Sequence, residues 1–158
     1  MTPEEREIIR RHTSTVPVRL SGLARDLGVD VKLVTLEPGI SGMIRPSTSS
    51  RSGFEIRIDK HETPERQRFT LAHELGHYIH HRDRIGDGIT DDVLYRSERI
   101  SNAEEVQANR FAANVLMPKA LLQGYIGEYA TIDEKAVREL AEMFRVSIPA
   151  MEIRLGVR

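Results

Sequence analysis

The chain has 158 residues and no cysteine, and its 23 lysine and arginine residues nearly balance its 24 aspartate and glutamate residues. This length suffices to bury the core of one domain, and the near-neutral net charge gives nucleic acid or anionic lipid no general attraction. The absence of cysteine excludes disulfides, thiolate metal ligands and a cysteine nucleophile, so histidine and carboxylate must supply any metal site.

The first part of the chain predicts helices and then short strands. Segments 3–11 and 20–27 are expected to be helical, and Gly28 ends the second helix. Segments 31–36 and 42–45 are rich in apolar and β-branched residues and are separated by turn residues, which is typical of a hairpin.

A further strand is predicted over residues 54–59, where apolar and polar residues alternate. Alternation indicates a half-buried strand. If this strand lies at a sheet edge, it can bind an extended peptide by strand addition.

A long helix is predicted over residues 64–81, because Thr63 can cap its first turn and proline is tolerated at the first helical position. The charged segment 82–100 is unusually long for a loop in a small domain, and we interpret it as a candidate active-site rim. Ser101 and Glu104 match a capping box and open an alanine-rich helix that ends near residue 117.

The C-terminal part is predicted to be helical. Thr131 and Glu134 repeat the capping pattern for a helix to about Arg145, and Ser147 can cap a last short helix toward Leu155. These two helices, joined by a short turn, match the pattern of a helix-turn-helix, a motif that binds DNA.

Charge argues against a DNA-binding role for these helices. Glu139, Glu142 and Glu152 interleave with the arginines there and leave no clear basic stripe. Direct DNA binding is therefore disfavoured, and a structural or partner-docking helical pair is expected.

Early strands and late helices predict an α+β fold. We expect one domain over residues 1–158, with a helical lead-in over residues 1–30 and a core over residues 31–118. A C-terminal helical segment over residues 119–158 completes this organisation.

The strongest chemical signal is the run His73-Glu74-Leu75-Gly76-His77 in the long helix. Residues four apart on a helix differ by only about 40° in direction and about 6 Å along the axis, so His73 and His77 can share one ion. A catalytic zinc ion has three protein ligands and a water in the fourth position, and Glu74 can act as the general base toward that water. The pattern therefore indicates a zinc-dependent peptidase.

The surroundings of this run favour a bound metal. The helix is largely apolar, so a His-Glu-His group within it is costly to bury without a specific partner. Gly76 lies mid-helix despite a penalty of about 1 kcal/mol relative to alanine, which indicates that another backbone or a substrate approaches there. The alternative interpretation is a solvated helix face that carries two accidental histidines.

A third ligand must come from another element, because no histidine follows at the spacing of a metzincin-type extension. Glu104 is expected to turn back to the Ser101 amide, which leaves Glu105 freer to bind metal. Asn109 lies one turn further on the same face and is a candidate for orienting a ligand. The alternative treats both glutamates as ordinary first-turn acids that the helix dipole favours.

Four other polar residues are candidates for a role at the site. Tyr78 and Tyr95 could each donate a hydrogen bond to the tetrahedral intermediate, and Tyr95 in the candidate rim is preferred, with a packing or surface role as the alternative. His80 and His81 are interpreted as partly exposed residues at the helix end rather than as further ligands.

Two motifs in this order resemble the ImmA/IrrE metallopeptidases, also called the M78 peptidases. The first is Phe69 to His77, and the second is Glu105 to Ala113 followed by Leu116-Met117-Pro118. The resemblance covers roughly residues 31–118 and implies a zincin-like α+β peptidase with a small sheet and an active-site HExxH helix. It also implies that Glu105 is the third zinc ligand, in a gluzincin-like set.

The resemblance implies a partner as well. Members of that family often act beside a helix-turn-helix repressor, which they cleave to release phage, mobile-element or stress genes, and some pair with such a protein as toxin and antitoxin. We therefore expect an endopeptidase with one zinc ion that cleaves a repressor or antitoxin encoded nearby. The alternative is a non-catalytic, metal-containing regulatory module or toxin that binds a transcription regulator.

The expected location is the cytoplasm. The N-terminal residues do not resemble a signal peptide, and no segment approaches the roughly 18 apolar residues of a membrane-spanning helix. We therefore expect a soluble protein without a membrane partner.

Overall fold

The computed structural model describes residues 1–90 and 100–157. The fold is mixed α+β, as predicted, and its elements follow in chain order: α1 (Pro3–His12), α2 (Leu20–Leu27), β1 (Asp30–Val34), β2 (Gly42–Pro46), β3 (Phe54–Asp59), α3 (Pro64–His80), a short 3-10 helix (Arg82–Arg84), β4 (Ile89–Thr90), α4 (Asn102–Leu116), α5 (Lys119–Ile126), α6 (Glu134–Phe144) and α7 (Ile148–Leu155).

The four strands form one sheet in the order β1-β3-β2-β4. Strand β3 pairs in parallel with β1 and antiparallel with β2, and β2 pairs antiparallel with β4. The predicted hairpin between the first two strands is therefore wrong, because β3 lies between them. The suggested edge position of β3 is wrong for the same reason, since both of its edges are already paired.

The apolar face of β3 explains this order. Ile56 and Ile58 point to the same face and are almost completely buried. In the register they stand beside Val31 and Leu33 of β1, while Ile44 of β2 stands opposite Ile56. A central position for β3 therefore places its isoleucines in the middle of the sheet, where helix α3 packs on them.

Helix α3 lies at the centre of the molecule. It packs against β2 and β3 on one side and against α4 on another, and every residue from Thr70 to Ile79 is buried. Its start follows the prediction, since Thr63 accepts a hydrogen bond from the Arg66 amide and Pro64 occupies the first turn. The HExxH segment is thus held in the interior.

Gly76 marks the closest approach of α3 to α4. A Cβ atom at this position would lie 3.1 Å from the Ala108 Cα, 3.2 Å from the Ala108 carbonyl oxygen and 3.2 Å from the Phe111 Cβ. The approach of another backbone, predicted from a glycine in mid-helix, is confirmed. It allows the two helices to pack without a side chain between them.

The C-terminal helices differ from the prediction in two details. Helix α5 was not predicted, because it has no side-chain cap and contains Gly124. The N-cap of α6 is Asp133, whose carboxylate accepts from the Ala136 amide, rather than Thr131. Among the described residues, no helix combines the length and the apolar character needed to cross a bilayer.

Replacing Gly76 by alanine tests the helix contact. We expect Gly76→Ala to lower the free energy of unfolding by about 1–2 kcal/mol, because overpacking outweighs the helix propensity that alanine adds. Chemical denaturation measures the change. Gly124→Ala is the matched control: among the described residues, nothing beyond its chain neighbours and its own helix backbone lies within 4 Å of the added Cβ. The same substitution should therefore raise stability by about 0.5–1 kcal/mol. Equal effects at the two positions would contradict a tight contact at Gly76.

Candidate metal centre

Three side chains from two helices meet at one point. His73 and His77 project from α3, and Glu105 reaches them from the first turn of α4. His73 Nε2 lies 3.2 Å from Glu105 Oε2, and His77 Nε2 lies 3.1 Å from Glu105 Oε1. One ligand atom from each residue lies within 4.8 Å of the others. These are the three residues that the sequence predicts as metal ligands.

The capping box at the start of α4 separates Glu104 from Glu105. The Ser101 hydroxyl accepts from the Glu104 amide at 3.1 Å, and Glu104 Oε1 accepts from the Ser101 amide at 3.3 Å. Arg84 contacts the same Glu104 oxygen at 3.3 Å. Glu104 is therefore held at the helix end, and Glu105 faces the histidines.

The two nitrogen-to-oxygen distances at Glu105 are compatible with ligands of one tetrahedral ion. Ligands at about 2.0–2.1 Å from zinc in a tetrahedron are separated by about 3.3 Å, close to the two nitrogen-to-oxygen distances at Glu105. His77 Nε2 is fully buried and makes no hydrogen bond among the described residues, although Glu105 Oε1 is near. A buried imidazole nitrogen this close to a carboxylate oxygen suits a shared cation.

Burial and proximity set the charges of this cluster. Burial by itself would raise the pKa of the Glu105 carboxyl, but the adjacent His73 and His77 imidazoles hold that pKa far below its ordinary value. Burial lowers the pKa of His77 below 6.5, more strongly than Glu105 opposes the shift. At neutral pH the cluster therefore offers an ionised carboxylate and a neutral His77, the forms that bind a metal.

Glu74 and Phe69 border the cluster. Glu74 follows His73 directly and is completely buried. The Phe69 ring stacks on His73 with centroids 6.2 Å apart. A carboxylate and an apolar ring thus flank the first histidine.

Two residues next to the cluster have contacts that the sequence does not predict. His81 is only 4% exposed, and its Nδ1 lies 2.9 Å from His77 Nδ1, so its interpretation as a partly exposed helix-end residue is wrong. Gln107 of α4, whose Oε1 lies 2.8 Å from His81 Nε2, was not singled out. The available signal was the repeated spacing of four residues through His73, His77 and His81.

The other candidate site residues, His80, Tyr78 and Asn109, differ in burial and contacts. His80 is half-buried and packs edge-on against the Phe111 ring. Tyr78 packs between Phe54 and the Arg82 guanidinium, which supports its packing alternative. Asn109 is exposed and makes no side-chain hydrogen bond among the described residues.

Tyr95 lies outside the described residues, as does most of the second half of the candidate rim. The described part of the rim contains the 3-10 helix and β4. The hydrogen-bond donor role of Tyr95 therefore stays a prediction.

Comparisons with known proteins relate the chain to one family of metalloproteases. The sequence model of peptidase M78, described as the IrrE N-terminal-like domain, matches residues 24–156. Two curated relatives are each named radiation response metalloprotease IrrE. The chain is 38% identical to the Deinococcus radiodurans protein over 98 residues and 36% identical to the Deinococcus deserti protein over 109 residues. These alignments cover 58% and 65% of this chain but 27% and 36% of the relatives' own length.

A solved structure supports the fold. The protein titled Mycobacterium tuberculosis transcriptional regulator aligns with a TM-score of 0.55 and 17% identity, over 99% of this chain and 47% of that chain. At this level of identity the likeness concerns the fold alone.

The depressed pKa of His77 predicts acid sensitivity of the metal-free protein. The unfolded chain takes up a proton near pH 6.5 while folded His77 does not, so unfolding binds protons and stability falls as pH drops below about 6.5. The contribution of one residue is at most about 1.4 kcal/mol per pH unit. Chemical denaturation in the presence of a chelator measures the free energy of unfolding between pH 7 and pH 5. This free energy should fall less steeply with decreasing pH in His77→Gln than in the unmodified chain. An unchanged slope would contradict the burial of a neutral His77.

Proposed function

Because the chain belongs to the M78 family of IrrE N-terminal-like domains, we propose that it is a zinc-dependent endopeptidase with a zincin-like active site. The meeting of His73, His77 and Glu105 carries the proposal. We assign the whole chain to one such domain, with its core at residues 31–118, and place its activity in the cytoplasm.

The proposed ligands of a single zinc ion are His73, His77 and Glu105. Two imidazole nitrogens and one carboxylate make a common set for catalytic zinc, which keeps its remaining position for water. The repeat of four residues on α3 aligns the two imidazoles, and the capping box directs Glu105 toward them. When bound, zinc would lower the pKa of water and polarise a peptide carbonyl.

Glu74 is the proposed general base. It lies in the same buried stretch of α3 as the two histidines and directly follows the first of them in sequence. In this role a Glu74 oxygen accepts the proton of the attacking water and later passes it to the leaving amine. Its complete burial means that few competing waters screen the charge that develops during this transfer.

The proposed substrate is a protein, specifically a helix-turn-helix repressor or antitoxin encoded nearby. The sequence resemblance motivates this choice, and the names of the two IrrE relatives describe proteases. Phe69, the residue that stacks on His73, is among the residues that line an open groove of about 730 Å³. Leu116, Val146 and Ile153 also line it, so it can accept apolar side chains of a polypeptide.

The surface of α7 supports a protein partner over DNA. Ile148 and Ile153 are 45% and 67% exposed, so the outer face of this helix is apolar. Arg154 points inward, where its guanidinium donates to the Met117 carbonyl oxygen at 2.9 Å and 3.2 Å. Direct DNA binding is therefore not part of the proposal.

Removing Glu105 tests the metal ligands. The unmodified protein should bind one zinc ion, and Glu105→Ala should weaken zinc binding by about 100-fold or more, since even loss of an outer partner costs about 10–100-fold. Competition with a chromophoric chelator measures the affinity. Glu65→Ala is the matched control, because Glu65 is an exposed glutamate in the first turn of α3, and it should leave the affinity nearly unchanged. Equal losses in the two variants would contradict a specific role for Glu105.

Removing the Glu74 charge tests the mechanism. Incubation of the zinc-loaded protein with a neighbouring repressor should give discrete fragments, and Glu74→Gln should slow cleavage by about 10²–10⁴-fold while zinc stays bound. Glu128→Gln is the control, because it changes an exposed glutamate, and this variant should cleave the repressor at the normal rate. Fragments formed at the normal rate by Glu74→Gln would exclude Glu74 as the base. A stable complex without fragments in the unmodified protein would favour the non-catalytic alternative.

A further inference from the structure

A chain of three side chains runs from the candidate metal centre to the protein surface. His77 Nδ1 lies 2.9 Å from His81 Nδ1, and His81 Nε2 lies 2.8 Å from Gln107 Oε1. His77 and His81 are buried, whereas Gln107 is exposed on α4. Helix α4 thus supplies both Glu105, which faces the two histidines, and the outer end of this chain.

The identity of the last atom fixes the direction of both hydrogen bonds. An amide oxygen only accepts, so His81 Nε2 must carry a hydrogen and donate it to Gln107. A neutral imidazole has one donor and one acceptor nitrogen, so His81 Nδ1 accepts. His77 Nδ1 must then be the donor in the contact between the two rings.

This direction leaves the outer nitrogen of His77 ready for a cation. With its hydrogen on Nδ1, His77 turns an Nε2 lone pair toward Glu105 Oε1, 3.1 Å away. Two acceptors at this distance repel each other unless a positive charge lies between them. The opposite direction would place a hydrogen on His77 Nε2 and block that position.

We propose that His81 and Gln107 are positioning residues that hold His77 in the Nδ1–H tautomer and thereby prepare its Nε2 to bind the metal. The inference rests on the proposed metal centre. Ligand histidines commonly donate their second N–H to a carboxylate, a carbonyl or water, which fixes the ring. Here the buried imidazole of His81 accepts this hydrogen bond from His77. His81 in turn donates to the amide oxygen of Gln107 on α4, the helix that carries Glu105.

Variants of Gln107 test this role, because an exposed residue can be changed without disturbing the core. Gln107→Met keeps the length of the side chain and removes the acceptor, and it should weaken zinc binding by about tenfold. Gln107→Glu restores an acceptor and should bind zinc nearly as tightly as the unmodified protein. Gln123→Met is the matched control on exposed helix α5 and should not change the affinity.

A spectroscopic measurement separates positioning from a general loss of structure. Long-range ¹H–¹⁵N spectra of the metal-free protein should show His77 protonated at Nδ1 and His81 protonated at Nε2. Gln107→Met should give mixed tautomers for both rings, and Gln107→Glu should restore the single pattern. A dominant Nε2–H form of His77 in the unmodified protein would overturn the inference, as would zinc affinity of Gln107→Met within about twofold of normal. Failure of the unmodified protein to bind zinc would instead overturn the proposed metal centre.

Discussion

The contact between helices α3 and α4 at Gly76 is the constraint on which the rest of the site depends. A Cβ atom at position 76 would crowd the α4 backbone at Ala108, and glycine allows this close approach without displacement of either helix. Ala108 lies three residues after Glu105, so the contact that fixes one turn of α4 also fixes the carboxylate one turn earlier, against two histidines that flank Gly76 on α3. The packing of α3 against α4 therefore sets the geometry of the cluster.

This packing places several polar groups in an apolar interior. His73, Glu74, His77 and His81 are all less than 5% exposed and are surrounded by the main core. Burial of such groups lowers stability unless each is satisfied, and a metal ion held by His73, His77 and Glu105 would stabilise the part of this cluster that faces Glu105. The pKa values of Glu105 and His77 are both lowered, which leaves the carboxylate charged and the imidazole neutral, and these two forms together favour a divalent ion.

Much of the fold and site could be predicted because their signals are local. Thr63 and Ser101 define helix starts, and the spacing of His73 and His77 follows from helix geometry alone. Contacts between segments that are distant in sequence leave no local pattern from which they can be predicted. Strand β3 pairs with a strand more than twenty residues earlier, which the apparent hairpin concealed. His81 looked like an exposed helix end because its burial depends on α4, and Gln107 carries no motif. The roles proposed for Asn109 and Tyr95 remain predictions.

The most direct test of the central claim is a crystal structure of the zinc-loaded protein with anomalous data collected at the zinc absorption edge. The account predicts a single strong anomalous peak, bonded to His73 Nε2, His77 Nε2 and a Glu105 carboxylate oxygen at about 2.0–2.2 Å. A peak elsewhere, or a zinc ion at this position that is not bonded to Glu105, would contradict it.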